Sequence, residues 1–300
     1  MDIESSSDID AEEKKAAVRL CKTITQWLSS WFNRSLSACP DEVFQLLPII
    51  ENLQSEANDE DLREDCKTVL LCLSRVLVPE QSINVILSTI KEVSGLKSWH
   101  ARANILNFMQ QMVFGNFFLV QSAKHKQTVQ SLLLHLLCDE QLEVREMAAV
   151  TLSGMIHCSY VELNKDMLDH FERLRSTKVK KIHKSGDSDP NCTSSSSLVD
   201  AASAGSNIPL QRLIQRHAGV LGLSACIQAY PYDVPDFIPQ VLVDLSVHVN
   251  DPQPIGTTVT KTLSDFRRTH HDNWHDHKRM FTDDQLITLT EVLVSPNYYA

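Results

Sequence analysis

A chain of 300 residues with 43% apolar content is long enough to bury a sizeable core, as one large domain or two. Its formal charge of −10 argues against direct nucleic-acid binding, which rests on clustered lysine and arginine. With only eight glycines the balance favours helix over sheet and leaves little for a phosphate-binding cradle.

Residues 1–12 are acidic and polar, lack the apolar segment of a secretory signal, and are expected to be disordered. From Glu13 to Phe32 the spacing of Val18, Cys21, Ile24, Trp27, Leu28 and Trp31 predicts one face of a helix. Cys39-Pro40-Asp41 breaks it, and a second helix through Val43, Leu46, Leu47, Ile50 and Leu53 is expected to kink at Pro48. The longest apolar stretch, residues 105–120, is interrupted by Gln110, Gln111 and Asn116, so no membrane partner is expected. Eight cysteines without a CxxC pair read as reduced core residues of an intracellular protein, not as a disulfide frame or zinc site.

A self-similarity then runs along the chain. Arg63 is followed by Cys66 and Leu70 at offsets of three and seven. The same offsets join Arg102 to Ile105 and Met109, Arg145 to Ala148 and Leu152, and Arg216 to Gly219 and Leu223. Gly256 keeps Val259 and Leu263 without the arginine. A period near 40 with two helices per unit predicts an all-α, HEAT/armadillo-like α-solenoid; an irregular helical bundle with chance spacing is the alternative. In such an array the small residues let neighbouring helices approach, and the arginine reaches the acidic turn of a neighbouring unit.

The interval from Arg145 to Arg216 is longer than one repeat by about 30 residues. Residues 176–209, rich in Ser with Gly186, Gly205, Pro190 and Pro209, are expected to form a disordered loop inserted between repeats. Lys178, Lys180, Lys181 and Lys184 at its head are a nuclear-localisation candidate or a solvated helix end. Helix resumes over Leu210 to Gln228, and Tyr230 to Pro235 forces a turn. The next helix starts at Pro239, and Asn250 to Pro254 introduces another repeat. The last helix opens on a capping box, Thr282 with Gln285, buries Leu286, Leu289, Val292 and Leu293, and stops at Pro296. The expected organisation is thus repeats over 13–175 and 210–294, the loop over 176–209, and a free tail over 295–300.

No nucleophile elbow, phosphate loop, kinase set or HExxH motif is present, so no enzyme is expected. His271 and His275, four apart, would share a helix face as metal ligands do; surface or structural histidines are the other reading, and no metal is assigned.

Several strings resemble the large proteasome activator complex subunit 4 family: Asp139 to Gly154, Arg216 to Leu223, Pro231 to Pro235, Asn250 to Pro254, Arg267 to Trp274, Phe281 to Gln285, and Ser295-Pro296 ahead of Tyr298-Tyr299-Ala300. The likeness covers most of the chain after about residue 60, and family members are much longer, which implies a C-terminal portion. It implies a HEAT solenoid that caps the proteasome core particle and promotes ATP-independent hydrolysis. The Ala300 carboxylate would pair with a lysine between two subunits of the α-ring, Tyr299 would hold the gate open, and Tyr298 would supply an apolar contact. The resemblance further implies binding of acetylated histones through a bromodomain-like region over 93–181, roles in DNA repair and spermatogenesis, and residence in nucleus and cytoplasm. The family's Asn-Phe pair falls on Ser159-Tyr160 here: serine has a shorter arm than the asparagine amide, while Tyr160 keeps an aromatic wall. An inositol phosphate is the one cofactor the resemblance suggests, with no residues assigned to it. The competing function is a nuclear acetyl-lysine or peptide-binding scaffold that does not itself activate.

Overall fold

The computed structural model describes residues 4–34, 39–179 and 207–293, and within them it contains helices and no strand. The helices are α1 (Glu4–Arg34), α2 (Asp41–Gln45), α3 (Leu47–Glu56), α4 (Glu60–Ser74), α5 (Ile83–Val93), α6 (Trp99–Gly115), α7 (Ala123–Leu136), α8 (Leu142–His157), α9 (Lys165–Arg175), α10 (Asn207–Gln228), α11 (Ile238–Ser246), α12 (Ile255–Thr269), α13 (Trp274–His277) and α14 (Asp283–Leu293). The five sequence anchors fall on every second helix, α4, α6, α8, α10 and α12, so the repeat is a helix pair. Cys66, Ile105, Met109, Ala148, Leu152, Leu223, Val259 and Leu263, at the three- and seven-residue offsets, are all buried. The chain is therefore all-α, of the helical-solenoid class.

Two departures concern the first helices. Residues 4–12, expected to be disordered, continue α1. Glu12 pairs along the helix with Lys15 and Arg19, each at 3.5 Å. Pro48 does more than kink the second helix. The chain breaks into α2 and α3 at Leu46, which leaves Pro48 in the first turn of α3, where its missing N–H costs nothing. The expected inserted loop lies, from residue 180 to 206, outside the described residues; α9 ends at Arg175 as expected, and α10 begins at Asn207, with Pro209 again in a first turn.

The chain divides into two compact units. The first is Met1–Leu136 with Gln141–Thr151. Here α3 packs on α4, α5 and α6, while α5 also touches α6 and α7, so a helix meets its neighbour and the next but one, as stacked pairs must. Buried Asn116 ties the α4–α5 connection to α6: its Oδ1 accepts from the Val78 N–H at 3.0 Å, and its Nδ2 donates to the Val76 and Met112 carbonyls at 3.0 and 3.1 Å.

One buried ionisable group is out of place in this core. Glu51 is 1% exposed, its Oε2 has no hydrogen-bond partner, and burial pushes its carboxyl up to about 8 against the opposing pull of Asn104. Because the folded value lies above the unfolded one, raising pH from about 4.5 to 8 ionises the unfolded chain first and progressively weakens the fold. Glu51→Gln should therefore leave stability unchanged near pH 4.5 and raise it by on the order of 3 kcal/mol at pH 8. Denaturant unfolding at a series of pH values checks this; a gap that does not grow with pH would refute it.

The second unit comprises Leu137–Glu140 and Leu152–Ala300. Helix α10 is its axis, packed on α9, α11 and α12. Two polar rungs join α10 to α12: His217 Nε2 to Thr258 Oγ1 and Thr262 Oγ1 to Ser224 Oγ, each 2.9 Å. Gly219 and Gly222 turn a bare strip of α10 to α9. A Cβ at Gly219 would lie 2.6 Å from the Phe171 carbonyl oxygen and 2.8 Å from Arg175 Cα, and closer still to the Arg175 backbone nitrogen. At Gly222 it would meet the buried Phe171 ring.

Candidate functional site

The tail residues Tyr298, Tyr299 and Ala300 lie outside the described residues, as do Lys180, Lys181 and Lys184. Helix α14 (Asp283–Leu293) is the last described element before the tail. Helix α14 opens on the expected capping box: the Thr282 N–H donates to Gln285 Oε1 at 3.0 Å, and the Gln285 N–H reaches Thr282 Oγ1 at 3.3 Å. Leu289 is buried and Leu286 half-buried, as the spacing predicts, while Val292 and Leu293 are not among the described side chains. Gln285 Nε2 also meets Gln240 Oε1 of α11 at 3.3 Å.

Helix α14 packs on α11 and, less extensively, on α12, where an aromatic cluster lies beside it. Phe266, 2% exposed, stacks on His270 with ring centroids 4.2 Å apart and meets Trp274 and Phe281 edge-on at 6.5 and 6.4 Å; Trp274 and Phe281 lie 5.5 Å apart. His270 is held by the carbonyls of Phe266 and Asp233, at 3.0 and 3.4 Å from its Nδ1 and Nε2. Against Phe266, Trp274, Leu286 and Leu289 a cavity of about 330 Å³ opens beside Arg267 and His271. The reading of His271 and His275 as one helix face is corrected here. Helix α12 ends at Thr269, His271 lies in the turn, and His275 belongs to the separate α13, so the two do not share a helix. The role of Phe266, Trp274 and Phe281 as a joint cluster was missed because their spacing crosses three elements and obeys no single period.

The Ser159-Tyr160 pair also has a structural assignment. Helix α8 ends at His157, and Ser159 adopts φ 59°, the left-handed region. The Ser159 N–H donates to the Ile156 carbonyl at 2.9 Å and the Tyr160 N–H to the Met155 carbonyl at 3.0 Å, the paired bonds of a Schellman cap. The turn sends the two side chains apart: Ser159 is exposed and Tyr160 is 0% exposed. Burial pushes the Tyr160 phenol up to about 12. Tyr160 is therefore a core residue of this unit. Since glycine takes this backbone conformation without the Cβ penalty, Ser159→Gly should stabilise the protein by about 1 kcal/mol in thermal or denaturant unfolding. A loss of stability would disprove that the position is only a cap.

A second buried assembly closes the α9–α10 junction. His248, 4% exposed, is held toward the neutral form by burial, against the pull of Asp251. Its Nδ1 lies 2.7 Å from Asp251 Oδ2, and its Nε2 lies 2.8 Å from Arg175 Nη1. A neutral ring with the proton on Nδ1 donates to the carboxylate and accepts from the Arg175 guanidinium, which leaves Arg216 Nη2, 3.0 Å from the same Nδ1, as a close contact and not a hydrogen bond. Arg175 Nη1 also donates to the Asp244 carbonyl at 3.0 Å, and the Arg175 side chain pairs with Glu172. Arg216 Nε stands 3.1 Å from Asp251 without an aligned N–H, a charge contact more than a hydrogen bond. This is the arginine-to-acidic-turn tie that the repeat pattern predicts, and Lys178, the described member of the basic cluster, is exposed three residues beyond Arg175.

Helix pairs that recur along the chain, packed on one another within each unit, define a helical-repeat protein. Residues 213–300 match the family model described as proteasome activator complex subunit 4-like, C-terminal. Proteasome activator complex subunit 4A of Danio rerio is 46% identical over 99% of this chain and 16% of its own length, and proteasome activator complex subunit 4 of Homo sapiens is 44% identical over 97% and 15%. Proteasome activator BLM10 of Saccharomyces cerevisiae is 35% identical over 89 residues, 29% of this chain and 4% of that protein. The chain belongs to the proteasome activator complex subunit 4 family, as a C-terminal portion, and spans about a sixth of the length of the curated relatives it matches. Among solved structures, an engineered protein matches with a TM-score of 0.33 at 10% identity, over 83% of this chain and 90% of that one, a likeness too loose to argue from.

Proposed function

We propose that this chain is a proteasome-activating adaptor whose tail, Tyr298-Tyr299-Ala300, docks into an α-ring pocket of the core particle and promotes ATP-independent gate opening. The observation that carries this reading is membership, along nearly the whole chain, in a family whose members are named proteasome activators. The platform supports it physically. Tyr298 follows five residues after Leu293, the end of the capped and packed α14, so the helix limits the search volume of a short anchor. Two rigid aromatic side chains followed by a carboxylate form a compact hot spot of the kind that a narrow pocket accepts.

The test is hydrolysis of a fluorogenic peptide by purified core particle, with the 300-residue chain and with a version lacking Ala300. Stimulation is expected from the first and a loss of at least ~10-fold in apparent affinity from the second, since the terminal carboxylate then sits on Tyr299, one residue short of its partner. Co-sedimentation of the intact chain alone, without stimulation, would limit the role to docking. No binding by either would overturn the reading in favour of a scaffold role.

A further inference from the structure

We propose that the cavity between α12, α13 and α14 is a binding site for the chain's own tail, and that Tyr299 and Ala300 fold back into it when no partner holds them. The cavity, of about 330 Å³, is lined by residues of the second unit. Buried Phe266 and Leu289 with half-buried Trp274 and Leu286 make its apolar part, and exposed Arg267, His271 and Thr290 make its polar edge. Among the described residues its lining holds no carboxylate. Helix α14 packs more extensively on α11 than on α12, and the opening falls on the α12 side. An apolar slot edged by a guanidinium suits a peptide that ends in an aromatic ring and a negative charge.

Such a peptide follows directly on the helix that lines the site. Seven residues come after Leu293, and the last three are Tyr298, Tyr299 and Ala300. Fully extended, seven residues reach about 23 Å, whereas the return from Leu293 to Leu286 along the helix is only about 10 Å. The chain can therefore reverse and still cover the cavity. Ser295-Pro296-Asn297-Tyr298 carries the residues a β-turn takes, with serine first, proline second and asparagine third. The reversal lays the Tyr299 ring against Phe266, Trp274 and Leu289 and sets the Ala300 carboxylate beside Arg267. The tether supplies an effective concentration on the order of 1 mM, so a contact with a Kd of only about 0.1 mM keeps the tail docked roughly 10 to 1. This site and the α-ring pocket of the proposed function compete for one tripeptide. The competition rests on that earlier reading; the docking does not.

Carboxypeptidase digestion of the 300-residue chain, followed by mass spectrometry, tests the docking with no proteasome present. Release of Ala300 and Tyr299 should be about 10-fold slower than from a free peptide of the same terminal sequence. Thr290→Phe, whose ring fills the cavity, and Arg267→Glu, which repels the carboxylate, should each restore the rate of the free peptide. Both positions are exposed, so circular dichroism and hydrogen exchange over residues 283–293 should match the parent. Phe266→Ala would open the site as well but loosens α14 with it, which the exposed positions avoid. In the core-particle assay the two variants should bind about 10-fold more tightly than the parent, and an unchanged affinity would overturn the competition. Cleavage of the parent at the rate of the free peptide, or protection that either substitution leaves intact, would overturn the site even if the chain stimulates the core particle. Protection that both substitutions abolish upholds the site even if the chain never binds the core particle, a result that counts against the proposed function alone.

Discussion

Gly219→Ala is expected to unfold the second unit under conditions in which the parent chain is intact. A helical glycine-to-alanine change ordinarily gains about 1 kcal/mol from helix propensity. Here the added methyl would enter the backbone of α9, 2.6 Å from the Phe171 carbonyl oxygen and 2.8 Å from Arg175 Cα, and backbone atoms have no rotamer to escape into. Separating α9 from α10 would also withdraw Arg175 from His248 and the Asp244 carbonyl, stranding polar groups that the fold has dehydrated. Overpacking alone costs about 1–3 kcal/mol, and the broken assembly adds to it, so a net loss of more than about 3 kcal/mol follows. Gly222→Ala should cost less, because it meets a ring and not a backbone. Gly115→Ala, with no atom within 4 Å of the new methyl, should be neutral or stabilising. Thermal unfolding of the three variants gives the order directly; a Gly219→Ala protein as stable as the Gly115→Ala protein would show that α9 and α10 do not pack this closely.

The helices were legible because their signals are local. Offsets of three and seven mark residues that the structure buries, and the Thr282–Gln285 box forms as the spacing predicts. The arginine rule was legible at Arg216, whose partner Asp251 sits in the acidic turn of the following unit. Arg102 donates to the Leu96 and Lys97 carbonyls at 2.8 and 3.0 Å, within its own helix pair. Side-chain direction past a helix end was not legible. At Ser159 a left-handed residue reverses the alternation, so the serine faces water and Tyr160 enters the core; a glycine there would have announced the turn, and a serine does not. The histidine reading failed for a related reason: a period of four implies a shared face only while the helix continues, and α12 stops at Thr269. The aromatic cluster beside α14 was not legible at all, because Phe266, Trp274 and Phe281 come from three separate elements and meet only after those elements fold.

That cluster makes Phe266→Ala the sharpest test of how structure serves the tail. Phe266 is 2% exposed and touches His270, Trp274 and Phe281 at once, so removing its ring leaves a cavity among three partners and costs about 3–5 kcal/mol. The loss is not shared evenly. The close α9–α10 contact and the polar rungs between α10 and α12 lie elsewhere and persist, whereas α14 loses its packing on the α12 side and keeps its packing on α11, the Gln285–Gln240 contact and its capping box. An eleven-residue helix is marginal by itself in water, so losing one side of its packing loosens it. Hydrogen exchange over residues 283–293 should therefore accelerate while α10 stays protected. If the tail acts from a fixed platform, the same variant should lose stimulation of the core particle with Tyr298, Tyr299 and Ala300 still in place, whereas removal of Ala300 should abolish stimulation without changing α14 protection. Full stimulation by a Phe266→Ala chain with a loosened α14 would mean that the tripeptide docks as a free peptide and the platform contributes nothing.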